Sequence, residues 1–485
     1  MWQPNLDNRH GALYRMIADA LADDIAAGRL PGGTRLPTHR ALADRIGVTV
    51  GTITRAYAEA ERRGLVDATV GRGTFVRQGA VFDDGGDGRF PAMRPDTPVG
   101  SYRDNLGQAL HRTLPSAERT SEVADFSANY PVNAPIGPAL AQAMQQLADP
   151  ARWAEVGGYQ PANGRADHRR AGADWLARTG LHVDPDEVIL VSGAQGGQSI
   201  TFQALCRPGD AVMVEELTWP GIKAVAQAQG LRLVPVAMDG EGLRPDSLAE
   251  ACARSGARVL YCIPTLHNPT NVTMSAERRR EILKVAAAHD ITVVEDDVYG
   301  FLHAGRHEPL AQMDRDRVVH VTSVSKSVAP GLRTGFLVAP RGQVGRFAGA
   351  IRCSTLMASS VAAECARILI GNGGAEAAAD AQTREAEARQ QLAARYLGHL
   401  PLHADPRSFH VWLELPAPWR TAQFAAQALS RGIVVTPGHA FAINEDPDAV
   451  RICLSAVPDR GLLERGLRDI ADLLAVRPEA ALPVV

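Results

Sequence analysis

Ser323-Val324-Ser325-Lys326-Ser327-Val328-Ala329-Pro330-Gly331-Leu332-Arg333-Thr334-Gly335 decides how the larger part of this sequence is read. It follows Val318–Thr322, a short β-branched apolar run of the kind that forms a buried strand. Small hydroxyl residues flank the lysine, and an arginine stands seven positions further on. Hydroxyls and a guanidinium gathered about one point suit a phosphate, and an amine beside them suits an aldehyde. The lysine is also rare. Among 485 residues lysine occurs only at 223, 284 and 326, which leaves 48 of the 51 basic residues to arginine, a side chain that cannot form a Schiff base. Lys223 and Lys284 fall in helical stretches and read as solvated surface charges.

Further strand-like runs stand at Val188–Val191, Ala211–Val214, Val259–Ile263, Thr292–Val294 and Gly335–Val338. Helical stretches separate several of them, such as Ala276–His289 behind the cap-like Ser275. This alternation predicts an α/β unit on a mostly parallel sheet, where ligands bind beyond the carboxyl ends of strands. Polar residues stand just past those ends. Glu295-Asp296-Asp297-Val298-Tyr299 offers a carboxylate for a protonated ring nitrogen, and His267-Asn268-Pro269-Thr270 with Tyr299 offers donors for a phenolic oxygen. Ser192-Gly193-Ala194-Gln195-Gly196-Gly197 opens a helix whose free N–H groups suit a phosphate, and Glu215-Glu216-Leu217-Thr218-Trp219-Pro220 offers an indole face. Taken singly these are capping acids, a proline turn, a glycine-rich loop and a core tryptophan. Arriving in this order around Lys326, they fit one cofactor, pyridoxal 5'-phosphate.

The first 78 residues differ. They carry 11 arginines, no lysine and 8 acids, a balance of +3 in a chain whose net charge is -3. A basic unit joined to an acidic one hints at nucleic acid. Leu13, Ile17, Leu21 and Ile25 predict a helix stopped at Gly28; a second begins near Thr38 and ends by Gly47; a third runs from Thr49 to about Arg63, before Gly64. Leu65–Val70 and Thr74–Val76 flank Gly71-Arg72-Gly73 and predict a hairpin with an arginine at its tip. Residues 79–118, rich in glycine, aspartate and proline at their start, read as a linker with one short helix around Asn105 to Thr113, which leaves 119–485 as the large unit. No run of about 18 apolar residues occurs, the N-terminus does not read as a secretory leader, and the six scattered cysteines read as reduced thiols rather than disulfides or zinc ligands. The expectation is a soluble, cytoplasmic protein.

Leu13-Tyr14, Gly28-Arg29-Leu30, Leu36-Pro37, Arg40-Ala41-Leu42-Ala43, Gly47-Val48-Thr49 and Gly71–Val76 resemble the GntR family of bacterial transcription factors over nearly the whole small unit. The resemblance implies a winged helix-turn-helix with Arg40, Thr49, Thr52, Arg55 and Arg72 as contacts to a double-stranded DNA operator. Val50 stands where the family often has arginine, so a thymine methyl rather than a guanine is its match. Residues from about 120 to 475 resemble fold-type I aminotransferases. That implies a Schiff base on Lys326, Asp296 on the pyridine nitrogen, and Asn268 and Tyr299 on the ring oxygen. Ala194, Gln195, Ser323, Ser325 and Arg333 would hold the phosphate, and Trp219 would stack on the ring. Tyr159, in Gly157–Gly164, resembles a tyrosine donated by the neighbouring subunit of a homodimer, and Arg451, in Val450–Ser455, resembles the clamp for a substrate carboxylate. Asn271 replaces a usual glycine and is expected to alter the turn while sparing Asn268.

The two resemblances in this order look like the MocR subgroup of bacterial regulators. They imply a transcription factor whose large unit binds pyridoxal phosphate and senses a small amine or amino acid. The rival expectation is a working aminotransferase with an accessory N-terminal domain, and a third is a regulator that senses the cofactor alone.

Overall fold

The computed structural model describes residues 2–4, 13–26, 29–30, 33–62, 65–69, 73–76, 123–132 and 136–476. These fall into two compact units, one up to residue 76 and one from residue 123. Gly28, Gly64, Gly71, Arg72, the expected linker and the expected helix near Asn105 lie outside the described residues.

In the small unit, helices α1 (Leu13–Ala26), α2 (His39–Ile46) and α3 (Val50–Arg62) precede an antiparallel pair, β1 (Val66–Thr69) and β2 (Gly73–Val76). Ile17, Leu21, Leu42, Ile53, Tyr57, Val66 and Val76 form its core. The α2–α3 turn is fixed at both ends. Thr38 Oγ1 accepts from the Ala41 N–H at 3.3 Å, and Gly47 ends α2 at φ +71°, a left-handed conformation that glycine adopts without strain. Thr49 then caps α3, accepting from the Thr52 N–H at 3.2 Å.

The large unit is built on a seven-stranded sheet. After the short β3 (Ala124–Asp125) come β4 (Val188–Val191), β5 (Ala211–Glu215), β6 (Arg232–Val236), β7 (Val259–Cys262), β8 (Thr292–Asp296), β9 (Val318–Ser323) and β10 (Gly335–Val338). Their spatial order is β4-β10-β9-β8-β7-β5-β6, with β10 antiparallel to both neighbours and the remaining adjacent pairs parallel. Neighbouring residues on one strand enter different cores, Val293 on one face and Val294 on the other, which is why these runs are apolar throughout. All six expected strands are present. The seventh, β6, contains Pro235, which lacks an amide hydrogen and is tolerated because β6 is an edge.

A second, antiparallel sheet lies further along: β11 (Leu402–His403), β12 (His410–Glu414), β14 (Thr436–Pro437) and β15 (Ala449–Cys453), in the order β11-β12-β15-β14, while β13 (Ile433–Val434) pairs with β3. It has its own core, including Phe126, Val411, Phe424 and Ile470. All six cysteines are free thiols; Cys353 is exposed, Cys206 is half-buried, and the other four are buried. Among the described residues no helix is long and apolar enough to cross a membrane.

Candidate functional site

Parallel strands end on one edge of their sheet, and the chain uses that edge. Asp296 is the last residue of β8, Lys326 follows β9 by three residues, Ser192 follows β4, Asn268 follows β7, and Trp219 follows β5. Asp296, Lys326, Asn268 and Trp219, with Ala194 and Gln195 just past Ser192, Arg451 of β15 and residues 125 and 127–130, line a cavity of about 790 Å³. Every expected cofactor residue of the large unit lines it except Tyr159, whose side chain is exposed (87%) and stands outside.

Lys326 is half-buried at the cavity wall. Its Nζ donates to the Asn129 carbonyl, and burial brings its amine down to about 8. Asp296 is buried at the other side. Its Oδ2 accepts from the Tyr261 hydroxyl at 2.6 Å and from the Gln198 amide, while Oδ1 is buried with no partner. Burial pushes this carboxyl up to about 6, against the pull of the Tyr261 hydrogen bond. A buried carboxylate oxygen without a donor is costly, and a protonated ring nitrogen would satisfy it. Of the three neighbouring acids only Asp296 lines the cavity, because Glu295 is spent capping a turn, accepting from the N–H groups of Leu310 and Ala311.

The end of the cavity beside Arg333 has the donors that would suit a phosphate. The helix Gly193–Leu205 starts at Gly193, where φ is +74° and a Cβ would lie 2.7 Å from Arg333 Nη2. Glycine therefore admits the guanidinium beside the first helical turn, whose N–H groups have no intrahelical acceptor. Arg333 Nη2 donates to the Ser192 carbonyl at 3.3 Å, and the Ser325 hydroxyl is buried without a partner. Ala194, Gln195 and Ser323 line the same end. Opposite, Trp219 starts the helix Pro220–Ala228, and its indole lies where a Cβ on Gly221 would stand, 2.1 Å away.

Arg451 is buried. Nη1 donates to Asn268 Oδ1 at 2.8 Å, Nη2 donates to the Ser127 carbonyl at 2.7 Å, and the guanidinium sits 4.8 Å from the Phe441 ring centre. Asn268 thus has its carboxamide oxygen engaged and its NH2 left as a donor. Asn271 takes φ +65° and keeps the turn closed by donating to the His403 and His410 carbonyls, at 3.2 and 2.8 Å.

Lys223 corrects the sequence reading. It is half-buried, lines the cavity, and its ammonium donates to the carbonyls of Ala442 (2.7 Å), Ala440 (3.1 Å) and His439 (3.5 Å). It staples the segment beside Phe441, a long-range contact invisible in a helical pattern. Lys284 is exposed, as expected. Sequence reasoning also missed Asn129, Gln198 and Tyr261. The last two carried a signal, a polar group on the buried side of a helix or strand; Asn129 had none. Among the described residues Asp167, His168 and Glu364 form one metal-like cluster, but Arg152, Arg165 and Arg367 already neutralise it.

On the small unit, Arg40, Thr49 and Arg55 are exposed and Thr52 is half-buried. Thr49 and Thr52 share a hydrogen bond at 2.9 Å, and the Arg55 guanidinium lies 5.7 Å from the Tyr14 ring centre. Val50, at the start of α3, is 44% exposed.

The aminotransferase class I and II family model matches residues 122–470, and the model for bacterial regulatory proteins of the gntR family matches residues 13–76. The HTH-type transcriptional regulator YdeF of Bacillus subtilis (strain 168), itself described as uncharacterized, is 30% identical over 98% of this chain and 96% of its own. The HTH-type transcriptional regulator TauR of Rhodobacter capsulatus is 32% identical over 68% of each. Among solved structures, kynurenine aminotransferase of Pyrococcus horikoshii, in complex with PMP, superposes with a TM-score of 0.69 at 22% identity, over 76% of this chain and 94% of its own. A DNA-binding winged helix followed by a fold-type I aminotransferase unit defines a class of bacterial transcription regulator. The chain belongs to the MocR subgroup of the GntR family.

Proposed function

We propose that the chain regulates transcription through a large unit that binds pyridoxal 5'-phosphate on Lys326 and, with it, a small amine or amino acid. One observation carries this reading: a single cavity presents the amine of Lys326, the partnerless oxygen of Asp296 and the partnerless hydroxyl of Ser325 beside Arg333. When bound, pyridoxal phosphate supplies an aldehyde for primary amines and an electron-withdrawing ring. The chain's own groups do the rest. Asp296 holds a proton on the ring nitrogen, and Asn268 and Tyr299 donate to the ring oxygen. Ala194, Gln195, Ser323, Ser325 and Arg333 receive the phosphate, Trp219 covers the ring, and Arg451 receives an effector carboxylate.

An effector that occupies Arg451 competes with the Ser127 carbonyl, and an amine that displaces Lys326 alters its bond to the Asn129 carbonyl. Only a ligand that favours one arrangement shifts the regulator's equilibrium. A homodimer in the cytoplasm suits this role, since two half-sites need two heads. Exposed Met144, Trp153, Leu356 and Val361, together with Tyr159, are candidates for its surface. Arg40, Thr49, Thr52, Arg55 and Arg72 are the proposed DNA contacts.

The test is binding to the gene's own upstream DNA, with and without cofactor and a panel of amines. An effect of amine only in the presence of cofactor supports the reading; an effect of cofactor alone favours a cofactor sensor. Affinity is expected to fall steeply with salt, and Arg55→Ala is expected to reduce the slope of log affinity against log salt by about 1. A flat salt response removes the DNA-binding assignment. Because Lys326, Asp296, Tyr299 and Arg451 share one cavity, transamination is the second reading. Rapid turnover of an amine with a keto acid would favour it, whereas spectral change with little keto product favours sensing.

A further inference from the structure

Asn129 follows β3 and touches two groups of the cavity, Lys326 and Tyr299, and the buried His410. Its carbonyl accepts from Lys326 Nζ, and its Nδ2 lies 2.9 Å from both the Tyr299 hydroxyl and His410 Nδ1. Burial, then the Arg451 charge, holds this imidazole well below the usual histidine range, so it is neutral and has one N–H. The Ser408 hydroxyl is spent on Asn271 Oδ1 at 2.5 Å. The NH2 of Asn129 faces His410 Nδ1 and donates to the Tyr299 hydroxyl. Asn129 Oδ1 is buried and goes without a partner. A phenol that accepts from Asn129 keeps its own proton for another direction, and Tyr299 lines the cavity.

We propose that Asn129 is a positioning residue: by donating to the Tyr299 oxygen, it turns the phenol proton toward the ring oxygen of bound pyridoxal phosphate. The proposal rests on the cofactor reading given above. Asn129→Asp tests it, because the shape stays while donors become acceptors. The Tyr299 proton should then turn to the new carboxylate and away from the cavity. Arg451, Cys453 and Asp296, the charged and titratable groups that face Tyr299, and Lys326 are unchanged in the variant.

In the cofactor-loaded protein the pH midpoint of the visible absorption band is expected to rise by about one unit in Asn129→Asp, the size of one hydrogen bond, and by less in Asn129→Ala. In the Tyr299→Phe background the Asp substitution should add much less. In the cofactor-free protein the 13Cζ resonance of Tyr299, assigned by its loss in Tyr299→Phe, should move in Asn129→Asp. An unchanged midpoint in both variants overturns the proposal, as does a full shift that persists without the Tyr299 hydroxyl. If wild type gives no band with pyridoxal phosphate, the cofactor reading fails. A moved resonance would then keep the Asn129–Tyr299 link while its purpose is lost, and an unmoved one would remove both.

Discussion

Asp296→Asn is expected to stabilise the cofactor-free protein at pH 8 while weakening pyridoxal phosphate binding about 100-fold. Both effects come from one carboxylate. Its value in the fold is about 6 against an ordinary 3.8, so the native state holds the proton more tightly than the unfolded chain does. Stability is therefore lost as pH rises from 3.8 to 6 and is not recovered above, a cost of about 3 kcal/mol at pH 8 from this group. Asparagine carries no charge to desolvate, and its carbonyl can still accept from Tyr261 and Gln198. The gain should reach about 1–3 kcal/mol at pH 8 and be smaller at pH 5. The cofactor reverses the ranking, because a pyridinium beside an ionised Asp296 satisfies the stranded Oδ1, and asparagine cannot supply that charge. Calorimetry at the two pH values, with a cofactor titration, decides the matter. A cofactor-free variant that melts lower at pH 8, or binds the cofactor as tightly as wild type, sinks the assignment of Asp296.

The long-range geometry explains what could be read from the chain beforehand. Strands such as Val188–Val191 and Gly335–Val338 announce themselves because a sheet covered on both faces demands unbroken apolar runs. Lys326, Asp296 and Trp219 were legible because the chemistry needs each type just after a strand. Arg451 and Tyr159 came only through resemblance. β6 escaped because Pro235 breaks the strand pattern, and the antiparallel sheet escaped because strands of two residues, Leu402–His403 and Thr436–Pro437, leave no periodicity to detect. Lys223 and Asn129 escaped for a different reason. Their partners lie far along the chain, Ala442 for one and Tyr299 and His410 for the other, so no local pattern encodes them. Asn271 shows the limit of motif matching: asparagine tolerates φ +65° where most residues do not, so a departure from glycine kept the turn.

Lys326→Ala is expected to abolish the visible band of lysine-bound cofactor outright, and with it any amine response of DNA binding that depends on displacing this lysine. Burial lowers the Lys326 amine to about 8. At pH 7.5 about a quarter of it is then neutral, against about one in a thousand for an ordinary lysine, so about 200-fold more nucleophile is available. Attachment in wild type should accordingly quicken about tenfold per pH unit below 8 and level off above it. Lys223 cannot take over, although it lines the same cavity, because its ammonium hydrogens serve the carbonyls of His439, Ala440 and Ala442. Loss of the proton would leave one of those acceptors without its donor. Lys223→Ala should thus keep the band, and Lys326→Ala should still bind the cofactor weakly through Asp296, Ser325 and Arg333. Absorption spectra of the two variants beside wild type separate the cases. A band that survives Lys326→Ala and disappears in Lys223→Ala would transfer the role to the other lysine, and with it the reading of the loop from Ser323 to Arg333.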